Sequence, residues 1–120
     1  MSASAFFLLR MNDHIQYLGK IKAALEDRGD FQGTDHHSCK LGSWMDREGA
    51  EQSASQGAEV QSLFKQLQQP HEKFHAASHQ ALACKAQGDL AGMEAAMTEM
   101  FRLSNTLVNL LMRLDTLSSP

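Results

Sequence analysis

Apolar positions recur at helical spacing along most of the chain. Between residues 4 and 28, Phe6, Phe7, Leu9, His14, Tyr17, Leu18, Ile21 and Leu25 fall on one stripe, which predicts a first long helix. Ser2 or Ser4 is suited to cap its start, and Gly29 to end it. His14 lies inside that stripe and is expected to face inward. Residues 29–38, GDFQGTDHHS, read as a loop. Residues 39–48 predict a short helix whose apolar members are Cys39, Leu41, Trp44 and Met45, and residues 49–57 are polar and weakly patterned. A further helix is expected over 60–69, with Val60, Leu63, Phe64 and Leu67 on one side. Pro70 marks a break or kink, or the first turn of the next helix, because it has no N–H to donate. Residues 71–87 place His71, Phe74, His75, Ser78 and Leu82 along one stripe. Gly88 and Asp89 punctuate the chain, with Asp89 as N-cap, and 90–117 is the last helix. The pattern predicts an all-α protein. It is expected to form an antiparallel four-helix bundle, with an additional short helix carrying the Cys-x-Leu-Gly-x-Trp block. Residues 1–120 are expected to form a single domain.

Composition narrows the class. A chain of 120 residues with 42% hydrophobic and 21% charged content is globular rather than disordered, with room for one modest core. Seven Met join Leu and Ala against few aromatics, which again favours helix. The net charge is −3 and no Lys/Arg cluster stands out, so no nucleic-acid partner is expected. The longest apolar run, AFFLL, is far too short to cross a membrane, and it lacks the basic start of a signal peptide. The expected compartment is the cytoplasm, where a cysteine outside the core points to metal or redox chemistry more than to a disulfide.

The chemistry concentrates in PHEKFHAASH, residues 70–79. His71 and His75 are four apart, so on a helix they share a face one turn apart and can chelate one metal ion. His14 and Cys39 complete a set of three imidazoles and one thiolate, which is a tetrahedral zinc set. Four protein ligands leave no position for water, so such a site is structural or regulatory rather than hydrolytic. Plainer readings exist for each residue: His14 as a core histidine, His71 and His75 as solvent-facing, Cys39 as a small buried hydrophobe. His36 and His37 read as solvated loop residues. His79 continues the face of His71 and His75, as an outer partner or an alternate ligand. Cys84 reads as a core thiol, and Met93, Met97 and Met100 as a core stripe.

The order His14-x-x-Tyr17, Cys39-x-Leu41-Gly42-x-Trp44 and His71-x-x-x-His75 resembles the bacterial chemoreceptor zinc-binding domain family. The likeness spans residues 12–79, and the last helix agrees with the family's bundle. It implies zinc at His14, Cys39, His71 and His75, and a regulatory domain rather than an enzyme. Such domains sense zinc, or oxidants such as hypochlorous acid through the zinc-bound cysteine. They are attached to chemoreceptors or to diguanylate cyclases, whose product is cyclic-di-GMP, and some stand alone. They are cytoplasmic and commonly dimeric. A homodimer is also expected from Phe6–Leu9, too long an apolar run for one helix face to bury within one subunit. No methyl-accepting hairpin and no cyclase signature occurs in these residues, so any output partner is a separate or attached domain.

Two other classes fit these residues less well. A di-iron or oxygen-binding bundle of hemerythrin or ferritin type needs inward carboxylates, yet no His is followed at +4 by Glu or Asp. A zinc hydrolase needs an open coordination position beside a general base, which a four-ligand set closes.

Overall fold

The computed structural model describes residues 4–118, with side chains from Phe7 onward. The helices are α1 (Ser4–Leu25), α2 (Lys40–Trp44), α3 (Ala50–Ala54), α4 (Ala58–Lys65), α5 (Gln68–Ala86) and α6 (Leu90–Ser118), with a π-helical turn at Met45–Gly49. Among the described residues there is no strand, and the protein is all-α. The caps expected at Ser2 or Ser4 and the Phe6 ring lie outside the described side chains.

The longest helix, α6, is the spine. It packs against α5, α1 and α4. Its buried positions Ala96, Met100, Leu103, Leu107, Leu111 and Leu114 repeat at three and four residues, the spacing of one helical face. Phe7, Ile21, Leu67 and Phe74 meet that stripe and are fully buried. Each such side chain contributes about 1.5–3 kcal/mol by leaving water.

Several boundaries differ from the pattern-based reading. The first helix ends at Leu25, not at residue 28. Asp27 takes the left-handed conformation at φ 60°, and the Arg28 N–H reaches back to the Ala23 carbonyl at 2.7 Å. That is a Schellman-type end with Asp, rather than the expected Gly29, at the left-handed position. The stretch after Trp44 does not become a loop at residue 49. It runs on through the π turn into α3. Gly49 is buried, with no room for a side chain because a Cβ there would lie 2.6 Å from the Phe64 ring, and Ser53 is fully buried. The break before the fifth helix falls at Gln66–Leu67, so Pro70 sits in the first turn of α5, where its missing N–H costs nothing. Asp89 does cap α6, its carboxylate accepting from the Gly92 N–H at 2.9 Å.

Candidate metal centre

Three elements converge on one point. α5 presents His71 and His75 one turn apart on its buried face, at 2% and 3% exposure. Cys39 stands at the N-cap of α2, where its sulfur accepts the Gly42 N–H at 3.2 Å. α1 brings in His14, 3% exposed. The Cys39 Sγ lies 3.3 Å from His71 Nε2. One donor atom each from Cys39, His71 and His75 falls within 4.8 Å of the others.

The donor spacing fits zinc. Bond lengths of about 2.3 Å to sulfur and about 2.0–2.1 Å to nitrogen, at the tetrahedral angle, put S and N about 3.5 Å apart and two imidazole centroids about 5 Å apart. The observed values are 3.3 Å for S···N and 4.9 Å for the His71 and His75 rings, which are mutually perpendicular.

The loop over the site fixes the ring orientation. The His75 Nδ1–H donates to the Thr34 carbonyl at 2.9 Å, which leaves the Nε2 lone pair free to bind a metal. His79 is exposed, and its Nε2–H donates to the same carbonyl at 2.8 Å. It therefore supports the loop rather than joining the donor group. Thr34 is itself held by Tyr17, whose hydroxyl accepts the Thr34 N–H at 2.8 Å and donates to the Thr34 carbonyl at 3.2 Å. The outer role of Tyr17 and Thr34 was not legible in the sequence, because a backbone carbonyl leaves no residue-type signal.

Gly42 also has a particular reason to be glycine. A Cβ there would come within 1.7 Å of the His36 carbonyl oxygen. What passes over Gly42 is the backbone of the 36–37 turn. Asp35 shapes that turn by accepting the His37 and Ser38 N–H groups, each at 2.9 Å. Leu41 and Trp44 anchor α2 on the bundle. The Trp44 ring meets Phe7 at 5.8 Å and Phe64 at 5.6 Å, and its Nε1–H donates to Gln52 at 2.7 Å.

His14 is near the centre but is not one of the three converging donors. It packs edge-on against Phe74 with centroids 4.7 Å apart, and its Nε2 shares a hydrogen bond with Ser104 Oγ on α6 at 2.9 Å. Cys84 is buried, and Gln80 donates to its sulfur at 3.4 Å. Asp13 pairs with Arg10 at 3.2 Å. Residues 71–75 also have the order His-Glu-x-x-His, which in zinc hydrolases supplies two ligands and a base. Glu72 is exposed here and lines, with His71, His36 and Asp46, a cleft of about 430 Å³.

Electrostatics favour neutral ligands. Burial, and then the neighbouring His75, lowers the pKa of His14 to about 4. Burial and the surrounding histidines lower that of His71 to about 3. His75 is lowered too, chiefly by burial. Metal-free Cys39 is raised by burial, against the backbone N–H groups of α2 that favour the thiolate. At neutral pH the imidazoles are therefore ready to bind, and only the thiol must give up a proton.

Among the described residues no helix is long and apolar enough to cross a membrane. No curated protein and no solved structure matches the chain. The family model for the chemoreceptor zinc-binding domain matches residues 14–82, from His14 through the end of the His71–His75 helix face. The three converging donors all lie inside that match, zinc is the metal they are built for, and the chain belongs to the chemoreceptor zinc-binding domain family, a regulatory family of zinc-binding sensory domains rather than a known catalytic one.

Proposed function

We propose that the chain is a cytoplasmic regulatory module in which one zinc is held by His14, Cys39, His71 and His75. The Cys39 sulfur is the element that changes state. The observation that carries this is the 3.3 Å approach of Cys39 Sγ to His71 Nε2, beside a His75 whose Nε2 is free. His14 supplies the fourth donor by exchanging its Ser104 partner for the metal. We take residues 1–120 as one domain. The three-residue turn between α5 and α6 supports an antiparallel bundle, and exposed Leu8 (47%) and Leu9 (50%) support a homodimer through the start of α1.

When bound, zinc keeps Cys39 as a thiolate, which is the form oxidants attack. The Cys39 sulfur gives two electrons to the chlorine of hypochlorous acid, and the balance is thiolate plus hypochlorous acid to sulfenic acid plus chloride. Sulfenic acid is a poor donor, and cellular thiols restore it. α2 is then released from the centre, and Trp44 carries the change to Phe7 and Phe64. The output is a chemoreceptor or a diguanylate cyclase that controls cyclic-di-GMP, attached to or bound by this domain.

The decisive experiment is metal analysis of the purified protein and of Cys39→Ser. One zinc per chain in the first, and zinc that a competing chelator removes more readily in the second, is expected. Less than half an equivalent in the wild type refutes the centre. Zinc content and Trp44 emission that stay unchanged with one equivalent of hypochlorous acid per Cys39 refute the redox version and leave zinc itself as the signal.

The His-Glu-x-x-His order favours one competing reading. If His14 stays on Ser104, three protein donors and a water make a hydrolytic geometry with Glu72 as base. Peptidase and esterase activity in zinc-loaded protein, abolished by Glu72→Gln with zinc content intact, would establish it.

A further inference from the structure

A third imidazole stands beside the two that converge with Cys39. The His36 ring centroid is 5.9 Å from that of His71 and 6.5 Å from that of His75. Imidazoles sharing a tetrahedral zinc have centroids about 5 Å apart, so His36 falls short of ligand spacing by only about 1–1.5 Å. Rotation of one side chain between rotamers covers that distance.

The main chain holds His36 in this position. Its carbonyl carbon would be 2.8 Å from a Cβ on Gly42, so the backbone rests directly on α2. Its carbonyl oxygen is 3.8 Å from Cys39 Sγ. The Asp35 side chain fixes the turn that follows. The ring itself is half-buried and lines the same cleft as His71, which gives it room to turn on the solvent side. His14 approaches from the core. His36 approaches from the mouth, on the segment that also carries Cys39.

We propose that His36 is a stand-in zinc ligand. When the Cys39 sulfur withdraws, the His36 imidazole closes on the metal beside His71 and His75, so losing the cysteine weakens the centre without emptying it. This rests on the zinc centre proposed above. It makes the response of the domain an exchange of ligands, reversible without a fresh supply of zinc.

The test compares zinc affinity, by competition with a chromophoric chelator, in the wild type, His36→Ala, Cys39→Ala and the double variant, with circular dichroism to check helix content. His36→Ala alone should change affinity less than about twofold. In the Cys39→Ala background it should lower affinity about tenfold or more, or about 1.4 kcal/mol. Cobalt(II) in place of zinc gives a second readout. Cys39→Ala should keep the strong visible absorption of a four-coordinate ion, and adding His36→Ala should weaken it. His36→Cys in the Cys39→Ala background should restore a thiolate-to-metal charge-transfer band. Equal affinities for Cys39→Ala and the double variant, or no such band, overturn the proposal. Cys39→Ser serves as the background if Cys39→Ala does not fold. A wild type that binds no zinc condemns the centre itself rather than His36.

Discussion

Stripped of zinc, the protein should become acutely sensitive to mild acid. The perturbation is a shift from pH 7 to pH 5 in the presence of a chelator. In the fold, burial holds His14 at about 4 and His71 at about 3, so both remain neutral at pH 5. In the unfolded chain, imidazoles with a pKa of about 6.5 are almost fully protonated there. The unfolded state then binds more protons than the folded one, and stability falls as pH falls. Integrating from pH 7 to pH 5 gives about 2 kcal/mol for each histidine, or about 4 kcal/mol for the two. His75, also lowered by burial, adds in the same direction. Against a total of about 5–15 kcal/mol, this is a large share. Urea melts of chelated protein at the two pH values measure it, and His14→Gln should remove about 2 kcal/mol of the loss. In the zinc-saturated protein the loss over the same interval should be larger, because binding releases the Cys39 proton and zinc affinity therefore falls about tenfold for each pH unit of acidification. A chelated protein that loses less than about 1 kcal/mol, or gains stability at pH 5, would refute the claim that these rings are buried and neutral.

Three further outcomes are expected. Zinc binding at pH 7 should release about one proton per metal, since the histidines are already neutral and burial keeps metal-free Cys39 as a thiol; calorimetry in buffers of different ionisation enthalpy counts it, and Cys39→Ala should release none. Gly42→Ala should cost about 3 kcal/mol because its Cβ would meet the His36 carbonyl at 1.7 Å, whereas Gly19→Ala, with nothing within 4 Å, should gain about 0.5–1 kcal/mol; thermal melts compare them. Tyr17→Phe removes the hydroxyl that grips Thr34 and should weaken zinc about tenfold with little change in helix content, read by chelator competition.

The helix-forming stripes were legible because burial on one face repeats at a period the sequence cannot hide. Hence α1, α5 and α6 appear where the apolar positions put them. The misread boundaries share a physical origin. At Asp27 a residue other than glycine takes the left-handed position, so the expected Gly29 signal lay beyond the true end. Over 49–57 the helix continues on small residues, Gly49 against the Phe64 ring and Ser53 in the interior, which carry no hydrophobic period. At the centre, Cys39, His71 and His75 announce themselves by residue type. Thr34 acts through its carbonyl and Gly42 through a missing side chain, and such contributions exist only once the chain has folded back on itself.

In the zinc centre proposed above, the most changeable ligand, Cys39, sits at the start of a short helical segment. α2 runs on through the π turn into α3, a helical segment over 40–54 that is too short to be stable without packing. Three things hold it: the Cys39 sulfur at the donor cluster, the His36 backbone laid across Gly42, and Trp44 wedged between Phe7 and Phe64. His71 and His75 instead ride on the nineteen residues of α5, packed along α6. On the proposed redox reading, a change at the sulfur falls on the short segment while the long helices persist. Phe7 lies on the same turn of α1 as Leu8 and Leu9, which are exposed. Motion of Trp44 accordingly has a direct mechanical path to the apolar surface at the start of α1, through one edge-on ring contact of 5.8 Å and no intervening residue. Replacing Phe7 by Ala should break that path and leave the donor cluster in place: zinc content should hold, while the response of the α1 surface to loss of the Cys39 ligand, followed by a fluorophore placed at position 9, should disappear. A response that survives in Phe7→Ala would mean the change travels instead through Phe64 and α4.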